Sequence, residues 1–232
     1  MYSSLDAAIS DIKQFSRCKN FHYPNIPKSS NITDFKSEPK FNLSKDENYQ
    51  EARAFIKDNF EYEDKYYDFI HLTKLSNLSS IIKMGGIFCM NYLKNNGIGP
   101  NLLTNELSNE LDNRRNLGDY VHLSVIGDNC MLNTFIDRHK NENLAIILIS
   151  PIVLFYHAFI MSDQNATANA AHIGRYSTIK NYLNFVSLYS IQEFPSYDVA
   201  QNSLYKISQA EVMIYEKIPL KFISEIIPLV RN

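Results

Sequence analysis

Residues 66–87 read YYDFIHLTKLSNLSSIIKMGGI and contain the pattern that decides the fold. The first eight residues are mostly aromatic and apolar, which favours a β-strand. The residues that follow place apolar side chains at helical spacing, namely Leu75, Leu78, Ile81 and Ile82. Gly85 and Gly86 can end that helix, because glycine readily adopts the left-handed backbone found at helix C-termini. The stretch therefore predicts a strand followed directly by a short helix.

The elements predicted farther along the chain have a mixed order of helices and strands. They are a helix near residues 102–115, the strand DYVHLSV (119–125), a helix near residues 130–138, the strand LAIILIS (144–150), the strand-like FYHAFIM (155–161), a helix near residues 176–189, and the strands QAEVMIYE (209–216) and FISEIIPLV (222–230). The segment KIPLK (217–221) is predicted to be a turn. Strands and helices do not alternate as a doubly wound parallel sheet requires, so the fold class is α+β.

Residues 1–60 differ from the rest of the chain and are predicted to form an N-terminal extension. Much of this part is rich in Asn, Ser, Lys and Pro, and short helices are predicted near residues 5–15 and 47–59. Residues 61–232 are predicted to form the functional domain.

The overall charge of the chain is close to zero. Its 232 residues include 23 Lys and Arg and 25 Asp and Glu, which gives a formal net charge of −2. No global positive field would draw such a chain onto nucleic acid, so any contact with nucleic acid has to come from a local patch. Hydrophobic residues make up 45% of the chain, which suits a folded domain.

Missing patterns argue against several functional classes. Three cysteines stand in no C-x-x-C spacing and six histidines form no H-E-x-x-H motif, so we predict no metal site. The sequence also lacks G-x-G-x-x-G, a Walker loop and G-x-S-x-G, which argues against a Rossmann dehydrogenase, a P-loop NTPase and an α/β-hydrolase. The N-terminus has no signal-peptide pattern and no apolar run is long enough to span a membrane, so we expect a cytoplasmic protein without a membrane partner.

Two predicted strands carry polar side chains two residues apart, which places each pair on one face of its strand. His71 and Thr73 lie on the first strand, and Gln209 and Glu211 begin the strand QAEVMIYE. A carboxylate on an otherwise apolar strand is costly unless it lies in a cleft or is paired with another group. Taken alone, each pair also fits an ordinary structural role at the rim of a sheet.

Two adjacent arginines, Arg114 and Arg115, lie just before the strand DYVHLSV. A guanidinium at this point can bind a phosphate through two hydrogen bonds, although the same residues also fit the solvated end of a helix. The residues thus indicate a small mixed domain with a His/Thr, Arg and Gln/Glu site. They do not by themselves name a reaction.

Together, these segments resemble an ADP-ribosyltransferase, and more narrowly the DarT family of toxins that modify nucleic-acid bases. The resemblance covers roughly residues 66–229, and YKISQAEVMIYEKIPLKFISEII is similar to the closing segment of the family. The other matching positions are His71, Thr73, Asn77 and Gly86 in the first strand and helix, and Asp119, Tyr120, Val121, Met131 and Leu132 in DYVHLSVIGDNCML. Where the family has P-F-Y-F, this chain has HLSV at residues 122–125.

The resemblance implies an ADP-ribosyltransferase-like fold, in which two small packed mixed or antiparallel sheets are flanked by helices and an NAD cleft lies between them. It implies NAD as co-substrate and no metal. The catalytic residues implied are Glu211 and Arg115, and a guanidinium of Arg115 or Arg114 would pair with a phosphate. The residues implied in binding NAD are His71, Leu72, Thr73, Asn77, Arg114 and Tyr120. Gln209 and Lys206 are implied in binding the acceptor.

The favoured hypothesis is an NAD-dependent transferase that modifies a base of single-stranded DNA or RNA. The resemblance implies that it is the toxin of a toxin–antitoxin or phage-defence system and that it binds an antitoxin protein. One alternative is an ADP-ribosyltransferase with a protein acceptor, since the Gln-x-Glu spacing also serves amide or guanidino targets in the superfamily. The other alternative is an inactive relative that only binds a nucleotide or a partner.

Overall fold

The computed structural model describes residues 44–60, 68–101, 106–125, 130–183 and 209–229. The helices are α1 (Lys45–Phe60), α2 (Leu78–Met84), α3 (Met90–Asn95), α4 (Glu106–Arg114), α5 (Cys130–Arg138) and α6 (Tyr176–Ile179). The strands are β1 (Phe69–Lys74), β2 (Gly86–Phe88), β3 (Tyr120–Ser124), β4 (Leu144–Ile149), β5 (Phe159–Ser162), β6 (Ile173–Gly174), β7 (Glu211–Tyr215), β8 (Lys217–Pro219) and β9 (Ile223–Leu229). Short 3₁₀ turns lie at Leu75–Asn77, Pro151–Phe155 and Leu220–Phe222. The helix predicted near residues 5–15, the end of the helix predicted near 176–189, and Lys206 lie outside the described residues.

Seven of the strands form one antiparallel sheet in the order β6-β5-β7-β3-β1-β4-β9. Strand β1 pairs with β4 over all six of its residues, and β3 pairs with β7 over all five. By contrast, among the described residues β1 and β3 meet at a single register pair, Ile70 with Ser124. The sheet therefore consists of two half-sheets, β6-β5-β7-β3 and β1-β4-β9, that separate beyond that pair.

Each face of the sheet packs against its own apolar cluster. On β7, Val212 and Ile214 belong to the larger cluster, whereas Met213 and Tyr215 belong to the smaller one on the opposite face. Side chains alternate along a strand, so Glu211 projects from the same face as Met213 and Tyr215. It does so at the first residue of the strand, where the apolar cluster ends.

Helix α1, which the sequence analysis assigns to the N-terminal extension, packs onto the core of the domain. Its side chains Ala52, Phe55 and Ile56 are fully buried. The Phe55 ring lies 5.3 Å from the ring of Tyr176 in an edge-on arrangement. The amide of Asn48 donates a 2.9 Å hydrogen bond to the backbone oxygen of Leu154. Residues 45–60 are thus integrated into the domain they precede.

A second, two-stranded sheet pairs β2 with β8. The prediction that residues 217–221 form only a turn is wrong, because Lys217–Pro219 is a strand that pairs with Gly86–Phe88. Three-residue strands are too short to show a periodic pattern in sequence. Gly86 does not end the helix, as predicted, but lies in β2. A glycine is required there because a Cβ at this position would lie 2.4 Å from the backbone oxygen of Ile218.

The predicted α+β class is confirmed, with antiparallel pairing throughout the described sheets. The helix that follows β1 ends as expected at Gly85, whose φ of 80° is left-handed. Among the described residues, no helix is both long and apolar enough to cross a membrane.

We expect Phe55→Ala to lower the free energy of unfolding by about 3–5 kcal/mol, because it removes a fully buried ring from the core. Arg53→Ala, at an exposed position of the same helix, should change it by less than about 0.5 kcal/mol. Urea denaturation of both variants measures these values. Equal stabilities for the two variants would show that α1 does not belong to the core.

Candidate active site

A cleft of about 410 Å³ lies where the two half-sheets separate. Strands β1 and β3 form its floor, and helices α2, α3 and α4 and the loop after β5 contribute to its walls. Among the residues predicted from sequence, the cleft is lined by His71, Leu72, Thr73, Asn77, Tyr120, Gln209 and Glu211. Its volume is within the usual range for a small-molecule site.

Glu211 is held in the cleft by both of its carboxylate oxygens. The backbone N–H of Ala166 donates to Oε1 over 3.0 Å, and Nδ1 of His122 lies 2.7 Å from Oε2. Ala166 belongs to the loop between β5 and β6 and is fully buried. The side chain of Glu211 is only 16% exposed. The carboxylate therefore has one fixed orientation in the cleft, with its remaining lone pairs available to a ligand.

His122 lies between two carboxylates. Its Nδ1 contacts Glu211, and its Nε2 lies 4.0 Å from Oδ1 of Asp112. Burial disfavours the charged imidazole, but the hydrogen bond that His122 donates to Glu211 and the negative charges of Glu211 and Asp112 outweigh burial and raise the pKa of His122 to about 9. His122 is therefore an imidazolium at neutral pH and donates to Glu211.

Burial acts on the other groups of the cleft as well. It raises the pKa of Asp112, an effect to which the charge of Glu211 adds and which His122 opposes. It lowers the pKa of His71, so that this ring is neutral. Nδ1 of His71 donates to the backbone oxygen of His122 over 3.2 Å. The unprotonated Nε2 of His71 is then an acceptor.

Asn77 holds Thr73 and one wall of the cleft in place. Its amide nitrogen donates to the Thr73 hydroxyl over 3.0 Å and to the backbone oxygen of Asn101 over 2.9 Å. Its amide oxygen accepts the backbone N–H of Asn101 over 3.0 Å. These three bonds use most of the hydrogen-bonding capacity of the amide, so Asn77 positions the residues around it. Thr73 keeps its own hydroxyl proton for donation.

The two arginines lie differently from the other predicted site residues. Arg115 donates a 2.5 Å hydrogen bond from its guanidinium to the backbone oxygen of Ala168, in the same loop as Ala166. The side chain of Arg114 is 72% exposed and lies 3.9 Å from Glu110. No lysine or arginine is found among the described residues that line the cleft. The phosphate contact assigned to Arg115 or Arg114 stays a prediction.

Sequence reasoning overlooked His122 and Asp112. His122 could have been found from the strand DYVHLSV, because it lies two residues after Tyr120 and so on the same face as that predicted site residue. Asp112 gave no such signal. It lies two residues before the end of α4, and only the folded chain brings it to β3.

A cleft between two antiparallel half-sheets, with a glutamate on one half and a His/Thr pair on the other, defines the chain as an ADP-ribosyltransferase-type domain. The sequence model of a family described as "ssDNA thymidine ADP-ribosyltransferase, DarT" matches residues 70–230. The chain belongs to the DarT family, which confirms the resemblance found in its sequence.

Solved structures of DarT proteins have the same fold. Thermosipho africanus DarTG in complex with ADP-ribose is 21% identical with a TM-score of 0.56, and the match covers 69% of this chain and 43% of that chain. Thermus sp. 2.9 DarT in complex with ADP-ribosylated ssDNA is 19% identical with a TM-score of 0.56, and the match covers 72% of this chain and 83% of that chain. The NAD+ complex of the same Thermus protein is 18% identical with a TM-score of 0.51, and the match covers 68% of this chain and 80% of that chain. No curated protein matches the chain.

The raised pKa of His122 predicts a pH-dependent contribution to stability. The folded protein binds this proton more tightly than the unfolded chain, where the pKa is 6.5. The contribution is therefore complete below about pH 6.5, falls as the pH rises, and is lost above about pH 9. The difference in free energy of unfolding between wild type and His122→Asn should shrink over this range in urea denaturation. A difference that stays constant between these pH values would contradict the assignment.

Proposed function

We propose that this chain is an NAD-dependent ADP-ribosyltransferase that modifies thymidine in single-stranded DNA. The observation that carries the proposal is that Glu211, from one half-sheet, lines the same cleft as His71 and Thr73 from the other. Membership of the DarT family supports the reaction, and the DarT complexes with NAD+ and with ADP-ribosylated ssDNA support the co-substrate and the acceptor.

The nicotinamide end of NAD fits the groups of β1. Nε2 of His71 accepts a hydrogen bond and the hydroxyl of Thr73 donates one, so the pair suits ribose hydroxyls and a carboxamide. One edge of β1 faces β3, and among the described residues only Ile70 on this edge is paired with β3. Backbone groups beyond Ile70 on this edge, including the region of Leu72, can therefore bind the carboxamide.

Glu211 would act on the ribose of NAD. Transfer breaks the bond between nicotinamide and the anomeric carbon through a transition state with oxocarbenium character. The carboxylate would accept a hydrogen bond from the ribose 2′-hydroxyl and stabilise the positive charge that develops at the anomeric carbon. The anchored orientation of Glu211 means that little reorganisation is needed when this charge appears.

The acceptor would approach from the side of Gln209, which precedes Glu211 by two residues and lines the cleft. Its amide can both donate to and accept from the edge of a base such as thymine. Lys206 and the two arginines are proposed to contact phosphates, as the resemblance implies. Arg115 also acts on the site indirectly, because it holds the loop that carries Ala166.

Glu211→Gln should lower transfer of ADP-ribose to a thymidine-containing oligonucleotide by about 10²- to 10⁴-fold, because the amide no longer supplies the negative charge. The transfer is measured by incubating the chain with labelled NAD and, in parallel reactions, with single-stranded DNA, RNA or a protein extract. Glu225→Gln, on an exposed position of β9, is the matched control and should keep full activity.

Each acceptor gives a distinct outcome in this assay. Label on thymidine-containing DNA that is absent from a thymidine-free oligonucleotide and from the Glu211→Gln reaction is the expected result. Label on RNA or on protein alone would replace the proposed acceptor. Intact NAD with the wild-type chain would support an inactive relative instead.

We further propose that the chain is a cytoplasmic toxin with a protein antitoxin. DNA lies in the cytoplasm of bacteria, and a modified template base would block its copying. Induced wild-type chain should therefore stop bacterial growth, whereas Glu211→Gln at equal abundance should not. Colony counts after induction measure the effect. Normal growth with abundant wild-type protein would contradict the proposed toxicity.

A further inference from the structure

The least expected feature of the cleft is that one imidazole lies between two carboxylates. His122 contacts Glu211 at 2.7 Å through Nδ1 and faces Asp112 at 4.0 Å through Nε2. We propose that His122 is a positioning residue for ADP-ribosyl transfer, which as an imidazolium fixes the Glu211 carboxylate in one orientation, with Asp112 as its counter-charge. The proposal rests on the function proposed above.

The geometry around Glu211 shows what His122 contributes. A glutamate side chain has three rotatable bonds, and ordering it costs conformational entropy. Ala166 fixes one carboxylate oxygen through its backbone N–H, and His122 fixes the other. Both contacts together define the plane of the carboxylate, which neither defines alone. Each oxygen keeps a lone pair for a ligand hydroxyl.

The charge of His122 matters in addition to its hydrogen bond. A hydrogen bond between charged partners is roughly twice as strong as one between neutral groups. Without the imidazolium, Glu211 and Asp112 would be two carboxylates in one partly buried site, where the charge of Glu211 raises the pKa of Asp112. With it, the three groups carry a net charge of −1, so the cleft still favours a cationic transition state.

Asp112 is suited to the role of counter-charge. Its Oδ1 is buried and has no hydrogen-bond partner, so its interaction with His122 is through charge across 4.0 Å. The groups that face this cluster from the other elements are His71 on β1, which is neutral, and Lys94 on α3, whose charge favours ionised Asp112. A hydrogen bond of His122 to the backbone of Leu117 also favours its charged form.

His122 lies where this sequence departs from the family pattern that it resembles. It is the first residue of HLSV, the four residues that stand where the family pattern has P-F-Y-F. Proline has no side chain that can donate to a carboxylate. The contact with Glu211 therefore depends on a residue that the family motif does not supply.

The first experiment compares wild type with His122→Asn, whose amide can keep the hydrogen bond but not the charge. We expect kcat for nicotinamide release to fall about 10- to 100-fold, with KM for NAD changed less than about 3-fold. His139→Asn, outside the cleft, is the matched control and should keep full activity. Unchanged kcat in His122→Asn would overturn the proposal. Melting temperatures of all variants exclude loss of fold as the cause.

The second experiment uses Asp112→Asn, which leaves His122 and Glu211 in place. Loss of the counter-charge should move the alkaline limb of the kcat–pH profile to lower pH, so that the loss of kcat relative to wild type grows as the pH rises. A structural defect would instead lower kcat equally at every pH. An alkaline limb that does not move would overturn the role of Asp112.

A third measurement follows the proton on His122 without any activity assay. Ring signals of ¹⁵N-labelled histidines in the full chain should show His122 protonated at pH 8 in the wild type and less protonated at that pH in Asp112→Asn. A neutral His122 in the wild type at pH 8 would overturn the proposal even in an active enzyme. A protonated His122 in a chain that leaves NAD intact would instead place the failure in the proposed function.

Discussion

The single register pair between Ile70 and Ser124 is the constraint on which the site depends. Within the half-sheets, β1 pairs with β4 and β3 pairs with β7 over every residue of β1 and of β3, whereas among the described residues the two halves are joined to each other at one point. Beyond that point β1 and β3 diverge and leave a cleft instead of a continuous hydrogen-bonded surface. A longer pairing would fill the space that a ligand needs, and the polar side chains of β1 would have no cavity to face.

The alternation of side chains along the strands then decides which groups enter the cleft. Glu211 and His122 lie on the face of the smaller apolar cluster, at the point where that cluster ends and the cleft begins. Their charges are tolerated because they neutralise each other and because Ala166 satisfies the remaining oxygen of the glutamate. Stability and chemistry thus use the same contacts, which explains why the carboxylate is oriented before any ligand binds.

The α+β class follows from strand and helix periodicity, which is a local signal, whereas the family and the grouping of His71, Thr73 and Glu211 follow from the resemblance to DarT proteins. The docking of α1 and the pairing of β2 with β8 follow from neither, since both arise from contacts between distant parts of the chain. The same limitation applies to the site. The position of the Arg115 guanidinium on the loop of Ala168 depends on where that loop packs, and no spacing in the sequence encodes it.

A crystal structure of the full chain with carba-NAD+, an analogue already bound by Thermus sp. 2.9 DarT, tests the central claim most directly. The account predicts that the nicotinamide ribose lies between His71 and Glu211, with its 2′-hydroxyl within hydrogen-bond distance of the Glu211 carboxylate and with His122 still in contact with the other side of that carboxylate. A ligand bound outside the cleft, or one whose ribose faces away from Glu211, would contradict it.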